Sequence, residues 1–262
     1  MLYRKIERTI EQHLMSGSNK ILLVDGARQI GKTYIIRYVG NKLFENYIEI
    51  NMIEDSLGNH LFEKVKTIED FYLQVSMLAG AKMQEKENTL IFIDEIQACP
   101  HLLTLLKFLS QDNRFTYIAS GSLLGVTLSQ TTSIPMGSIQ KIQMYPLDFE
   151  EFLWAVNEEA LSKEIKAAYD TITPLPEALH QKAIEYYRYY LIVGGMPACV
   201  KMFTETSKLI LVPNTQNEIA SNYVADMAKY ASAADTVKIR ACYNSIPAQL
   251  AKENKKFQYK VV

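Results

Sequence analysis

The stretch that most constrains the fold is an apolar run followed at once by a glycine-spaced loop. Ile21-Leu22-Leu23-Val24 is short and continuously apolar, the mark of a strand buried on both faces of a parallel sheet. Directly after it comes Gly26-Ala27-Arg28-Gln29-Ile30-Gly31-Lys32-Thr33, and a helical pattern begins at Lys32. The run fits G-x-x-x-x-G-K-[ST] in the strand–loop–helix context that this pattern requires. Gly26 and Gly31 are expected to take backbone conformations that side-chain-bearing residues avoid, so that successive N–H groups turn inward around phosphate oxygens. The helix starting near Gly31 adds its positive N-terminal end to the same anion. Lys32 is placed to neutralise β- and γ-phosphates, and the Thr33 hydroxyl to complete a Mg²⁺ shell. Gly26, Ala27, Arg28, Gln29, Ile30, Gly31, Lys32 and Thr33 are therefore the expected nucleotide-binding loop.

The flanking pattern supplies a sheet for that loop. Ile6, Ile10 and Leu14 recur at i, i+4, i+8, so the segment from Arg4 to about Met15 reads as an amphipathic helix ended by Gly17. Short strand-like runs recur at Tyr47 to Ile50, Leu90 to Ile93 and Phe115 to Ala119, with a more alternating one from Ile139 to Tyr145. Helical stretches lie between them, at Lys32 to Val39, Thr67 to Leu78 and Leu102 to Leu109. Strand and helix alternating in this way predict an α/β fold with a layered parallel sheet and right-handed crossovers. From Asp148 onward strand signals nearly vanish, and the boundary is expected near Asn157.

A phosphate loop that works with Mg²⁺ needs a second acid at the end of a buried strand. Leu90-Ile91-Phe92-Ile93-Asp94-Glu95 supplies it. Asp94 is the expected Mg²⁺ partner, at the carboxyl end where parallel sheets put their ligands, and Glu95 can orient and deprotonate an attacking water. Two such acids could also cap the next helix; behind this loop, with an intervening strand at Tyr47 to Ile50, the catalytic assignment prevails. That extra strand and the adjacent glutamate point to the additional-strand branch of P-loop proteins, which hydrolyse ATP. Ala119-Ser120-Gly121-Ser122 ends the fourth strand, where Ser120 or Ser122 would either sense the γ-phosphate or form a plain loop.

Other chemistries fare worse. Guanine recognition by N-K-x-D has only two near hits, at Asn19-Lys20 and Asn41-Lys42, both lacking the aspartate and misplaced. His13, His60, His101 and His180 have no ligand spacing with cysteines or with each other, which argues against a zinc site. The Tyr186 to Tyr190 cluster suits packing better than base stacking. A small-molecule kinase is disfavoured, since no acceptor-binding element is evident. At 262 residues and 48% hydrophobic, the chain has ample apolar content for a core. No apolar run approaches the roughly 18–20 residues of a membrane-spanning helix, so no membrane partner is expected. The N-terminus becomes charged at once, unlike a secretory signal. Cys99, Cys199 and Cys242 read as reduced thiols, which predicts a cytoplasmic protein. The net charge of −1 gives no hint of nucleic acid, although Lys238, Arg240, Lys252, Lys255, Lys256 and Lys260 tilt the last segment basic.

Taken in order, the loop Gly26 to Thr33, Phe92-Ile93-Asp94-Glu95-Ile96-Gln97, Ala119 to Ser122, Tyr145-Pro146-Leu147-Asp148-Phe149-Glu150-Glu151-Phe152 and Gly194-Gly195-Met196-Pro197 closely resemble a large prokaryotic family of AAA+-like ATPases. Many of its members are known only as ATP-binding proteins with a C-terminal domain of unknown function. The resemblance implies a P-loop NTPase core over 1–156, a helical lid over 157–232, and the start of a winged-helix segment over 233–262. Gly194-Gly195-Met196-Pro197 resembles the G-x-P element of STAND-type switch ATPases, which implies that Pro197 sits near the adenine and couples nucleotide state to domain position. Ile246-Pro247-Ala248-Gln249-Leu250-Ala251, then Asn254-Lys255-Lys256, resembles the opening of that family's winged helix. Two departures are visible. Ser138 follows Met136-Gly137 where many relatives carry a basic residue, and the chain stops at Val262 where relatives continue, as a truncated member would.

The expected activity is thus Mg²⁺-dependent ATP binding and hydrolysis. Gly26 to Thr33 and Pro197 bind nucleotide, Thr33 and Asp94 hold the metal, and Glu95, Lys32 and Ser120 carry catalysis. The alternative from a different class is a slow-turnover, ATP-gated binding switch that contacts DNA or a protein partner through the C-terminal part. Homo-oligomerisation stays open.

Overall fold

A computed structural model describes residues 2–53, 61–122, 137–229 and 233–252. Five strands, β1 (Ile21–Asp25), β2 (Asn46–Asn51), β3 (Thr89–Asp94), β4 (Thr116–Gly121) and β5 (Ile139–Gln143), form one sheet in the order β2-β3-β4-β1-β5. Every pairing is parallel, with Leu22 opposite Ile118, Ile48 opposite Ile91 and Ile21 opposite Ile139. The α/β class expected from the alternation is therefore the observed one.

Alternation along each strand fills two cores. Ile21, Leu23, Ile48, Ile50, Ile91, Ile93, Tyr117 and Ala119 face one side, while Leu22, Val24, Leu90, Phe92 and Ile118 face the other. Helices α1 (Ile6–Met15) and α2 (Lys32–Leu43) cover the second face through Ile10, Ile35, Ile36 and Val39. Helices α3 (Ile68–Ala79) and α4 (Pro100–Asp112) cover the first through Phe71, Val75, Leu102, Leu106 and Leu109. Thr67 starts α3 with a reciprocal capping box to Asp70. Because both faces of the sheet are covered, the central strands read as unbroken apolar runs.

One sequence expectation changes in space. The segment at Tyr47 to Ile50 intervenes between the loop strand and the Asp94 strand along the chain, but β2 lies at the sheet edge. The strand inserted between β1 and β3 is β4. The half-buried alternation of β2, against six consecutive buried residues in β3, fits an edge position. The connection leaving β1 runs toward β2 and the one leaving β4 runs toward β5, so their carboxyl ends flank a topological switch point.

After β5 the described chain is helical: α5 (Phe149–Ala155), α6 (Glu159–Thr171), α7 (Glu177–Val193), α8 (Pro197–Thr206), α9 (Val212–Lys229) and α10 (Ala233–Leu250). Asp148 and Glu151 form the capping box that starts α5. The tyrosine cluster packs, with Tyr187 edge-on to Phe149 at 5.3 Å and Tyr190 5.4 Å from Phe152. Two compact units result, Met1–Lys201 and Met202–Val262. In the second, α9 and α10 are neighbours, Val212 and Ile219 are buried, and α10 continues through Pro247. Ile246 to Leu250 close that helix; Met136, Asn254, Lys255, Lys256 and Lys260 lie outside the described residues.

Candidate functional site

The loop between β1 and α2 carries its two glycines for different physical reasons. Gly31 has φ +93° and caps α2 in a left-handed conformation, as expected for a turn that aims N–H groups inward. Gly26 is needed for space: a Cβ there would lie 2.5 Å from the Met144 carbonyl oxygen and 2.6 Å from Ile30 Cδ1. The second positive φ of the loop, +61°, belongs to Gln29. The expectation that both glycines supply unusual backbone angles is thus met at Gly31 alone. At Gly26 the close approach of the chain after β5 decides.

Lys32 is buried, and its Nζ donates to the carbonyls of Gly26 at 2.9 Å and Ala27 at 2.8 Å. Burial pushes its ammonium below the usual lysine value, while Glu95, Asp94 and Asp25 pull in the opposite direction. One residue on, the Thr33 hydroxyl donates to Asp94 Oδ2 at 2.8 Å. Asp94, at the carboxyl end of β3, is only 2% exposed. Burial raises its carboxyl above the usual range, opposed by the hydroxyls of Ser120 and Thr33. Ser120 is fully buried on β4, and its hydroxyl donates to Asp94 Oδ1.

Glu95 takes a left-handed conformation at φ 53°, ψ 41°, unusual for a residue with a side chain. The turn brings Gln97 back beside it, and Gln97 Nε2 donates to Glu95 Oε2. Ser122 Oγ donates to the same oxygen at 3.2 Å and accepts from Arg28 Nε at 3.2 Å and Gln97 Nε2 at 3.3 Å. Four expected residues, Lys32, Thr33, Asp94 and Glu95, are therefore gathered where three neighbouring strands end, with Arg28 and Ser120 alongside. Gln97 was not singled out from the sequence for this place; its spacing two residues after the glutamate was the available signal.

A second residue without a sequence signal is Arg4. Its buried guanidinium donates to the Ile30 carbonyl at 3.0 Å, the Tyr145 carbonyl at 2.6 Å and Glu151 Oε2 at 3.2 Å. One side chain thus joins the phosphate loop to the Tyr145 to Phe152 motif. The Gly194 to Pro197 turn approaches the same motif: Leu147 N donates to Gly195 O at 2.7 Å, and a Cβ on Gly195 would stand 2.1 Å from the Leu147 carbonyl oxygen. Met196 packs against the cluster that holds Ile30 and Met144, and Pro197 opens α8.

The donor set suits a small hard cation. Asp94 is a buried carboxylate with no ion-pair partner among the described residues, and a hydroxyl oxygen lies beside it. Mg²⁺ is commonly held by one or two carboxylates together with substrate phosphates, not by an all-protein cage. No group of three or more His, Cys, Asp or Glu that could hold a metal occurs among the described residues. No helix among them is long and apolar enough to cross a membrane.

Residues 18–153 match a family described as an AAA domain, and residues 184–262 match one described as a domain of unknown function. An uncharacterized protein of Methanocaldococcus jannaschii is 26% identical over 204 residues, covering 78% of this chain and 41% of that protein. An uncharacterized protein of Haemophilus influenzae is 25% identical over 210 residues, covering 79% and 47%. The chain thus spans less than half the length of these relatives. Among solved structures, the fold is similar to a Walker-type ATPase of Pyrococcus abyssi, with a TM-score of 0.52 and 15% identity, over 87% of this chain and 75% of that one.

Proposed function

The chain belongs to the AAA domain family, and on that premise we propose that it binds ATP with Mg²⁺ and hydrolyses it, coupling nucleotide state to movement of the helical region after the sheet. One observation carries the proposal: Lys32, the Thr33–Asp94 pair and Glu95 converge at the carboxyl ends of β1 and β3, beside the switch point. In the proposed reaction Lys32 exchanges the Gly26 and Ala27 carbonyls for β- and γ-phosphate oxygens. Thr33 and Asp94 would hold Mg²⁺, which when bound neutralises phosphate charge. Ser120 keeps the Asp94 carboxylate oriented. Glu95 takes a proton from water as the water oxygen bonds to the γ-phosphorus and the bond to the β-phosphate oxygen breaks, leaving ADP and phosphate.

The proposed division is an ATPase core over 1–156, a helical lid over 157–232 and the start of a winged-helix segment over 233–262. Pro197 is proposed to lie near the adenine, as its resemblance to the G-x-P element implies. The bond between Leu147 and Gly195 supports communication between core and lid. A DNA or protein partner reached through the C-terminal part belongs to the alternative, a slow-turnover ATP-gated binding switch, and assembly with further copies is proposed with either. Three scattered cysteines, an odd number with no framework spacing, suit a reducing compartment, which supports the cytoplasm as the location.

Binding is tested by titrating ATP and Mg²⁺ into wild type and Lys32→Ala. At least about a 10-fold loss of affinity is expected, as for a charged hydrogen bond. Unchanged affinity would overturn the site.

A further inference from the structure

Around Glu95 nearly every hydrogen-bonding position is used, and the pattern is directional. The Gln97 amide is fixed at both ends: Oε1 accepts from the Ser122 backbone N–H at 3.3 Å, and Nε2 donates to Glu95 Oε2 and to Ser122 Oγ. Ser122 Oγ spends its single hydrogen on Glu95 Oε2 and its two lone pairs on Gln97 and Arg28. Two donors therefore converge on one carboxylate oxygen. Among the described residues, Glu95 Oε1 has no hydrogen-bond partner. The backbone of Glu95 is held at a positive φ by the same turn, so the carboxylate is fixed from the main chain and from the side chain at once.

We propose that Gln97, together with Ser122, is a positioning residue for the reaction: the pair anchors Glu95 Oε2 so that Oε1 alone is presented to the attacking water. Gln97 suits this role because its amide supplies both the donor for the carboxylate and the acceptor that locks it to the residue just after β4. A leucine of similar size fills the space and supplies neither. Ser122 ties the arrangement to Arg28, so the orientation of the base is set by the loop that binds the phosphates. The inference rests on the hydrolytic assignment of Glu95 made above.

The test compares wild type, Gln97→Leu, Ser122→Ala and Glu95→Gln for ATP dissociation constant and for kcat, with Mg²⁺ present. Gln97→Leu is expected to lower kcat about 10- to 100-fold, the scale of a misaligned reacting group, with ATP affinity unchanged within about twofold. Ser122→Ala should act in the same direction, and it carries the test if Gln97→Leu does not fold. In the Glu95→Gln background Gln97→Leu should cause no further loss, because the group it positions is already gone. Wild-type kcat in both single variants, a full additional loss in the double variant, or a parallel weakening of ATP binding would each overturn the inference alone. ATP binding without turnover in wild type would overturn the hydrolytic assignment, and this inference with it.

Discussion

Thr33 Oγ1 lies 2.8 Å from Asp94 Oδ2, so a single hydrogen bond joins the end of the phosphate loop to the end of a strand two places away in the sheet. β4 fills the place between, and its Ser120 grips the other Asp94 oxygen. The Asp94 carboxylate is therefore located by two strands, β3 and β4, and by the first turn of α2.

Asp94→Asn should keep that shape and remove the charge. Hydrolysis is expected to fall about 100-fold or more, on the scale of lost charge stabilisation by a metal, and to require more Mg²⁺ than in wild type. Phosphate release across a Mg²⁺ titration checks this; an unchanged Mg²⁺ midpoint would contradict the metal assignment.

Gly26→Ala places a methyl group 2.5 Å from the Met144 carbonyl oxygen. Either the loop or the chain after β5 must shift, at a cost of about 1–3 kcal/mol typical of overpacking. ATP affinity should fall about 10-fold or more while the circular dichroism spectrum stays native-like. Wild-type affinity would show that the loop shape is not set by this contact.

Arg4 and Glu151 form an ion pair whose side chains are 7% and 6% exposed. Removing one partner leaves the other charge buried, so Arg4→Met is expected to lose about 3–5 kcal/mol in urea unfolding. Combining it with Glu151→Gln should cost less than the two single losses summed, since neither charge is then stranded. Strict additivity would deny the coupling.

Glu158 accepts from Lys182 at 2.7 Å and from the Tyr186 hydroxyl at 2.9 Å. The Lys182 hydrogen bond foremost holds its carboxyl below the usual range. A depressed folded-state pKa stabilises the native protein above the unfolded value, and that contribution is lost as pH falls through the folded one. The pair is partly exposed, so Glu158→Gln should lower stability at pH 7 by no more than about 1 kcal/mol. The difference should vanish well below about pH 4. Thermal melts of both proteins at pH 7 and pH 3 measure it.

How much of this could be read beforehand follows from what sequence patterns encode. The loop, Asp94 and Glu95 were legible because backbone geometry and charge demand particular residues at fixed spacing along one strand or turn. The apolar runs likewise revealed a parallel sheet, since both faces are covered. Strand order was less accessible: chain order put the segment around Ile48 between β1 and β3, while β4 fills that position in space. Arg4 was invisible for a similar reason. Its partners Ile30, Tyr145 and Glu151 lie far along the chain, and two of its three acceptors are carbonyls that no side-chain identity announces. Gln97 lies within the Phe92 to Gln97 motif, yet its place beside Glu95 depends on the turn that folds it back.

The central claim is that Glu95 activates water for ATP hydrolysis, and steady-state phosphate release with ATP and Mg²⁺ tests it most directly. Wild type should turn over ATP, and Glu95→Gln should lose at least about 100-fold in rate, the low end for a general base, while still binding ATP. Wild type that binds ATP tightly but releases no phosphate, or a Glu95→Gln variant as fast as wild type, would contradict it.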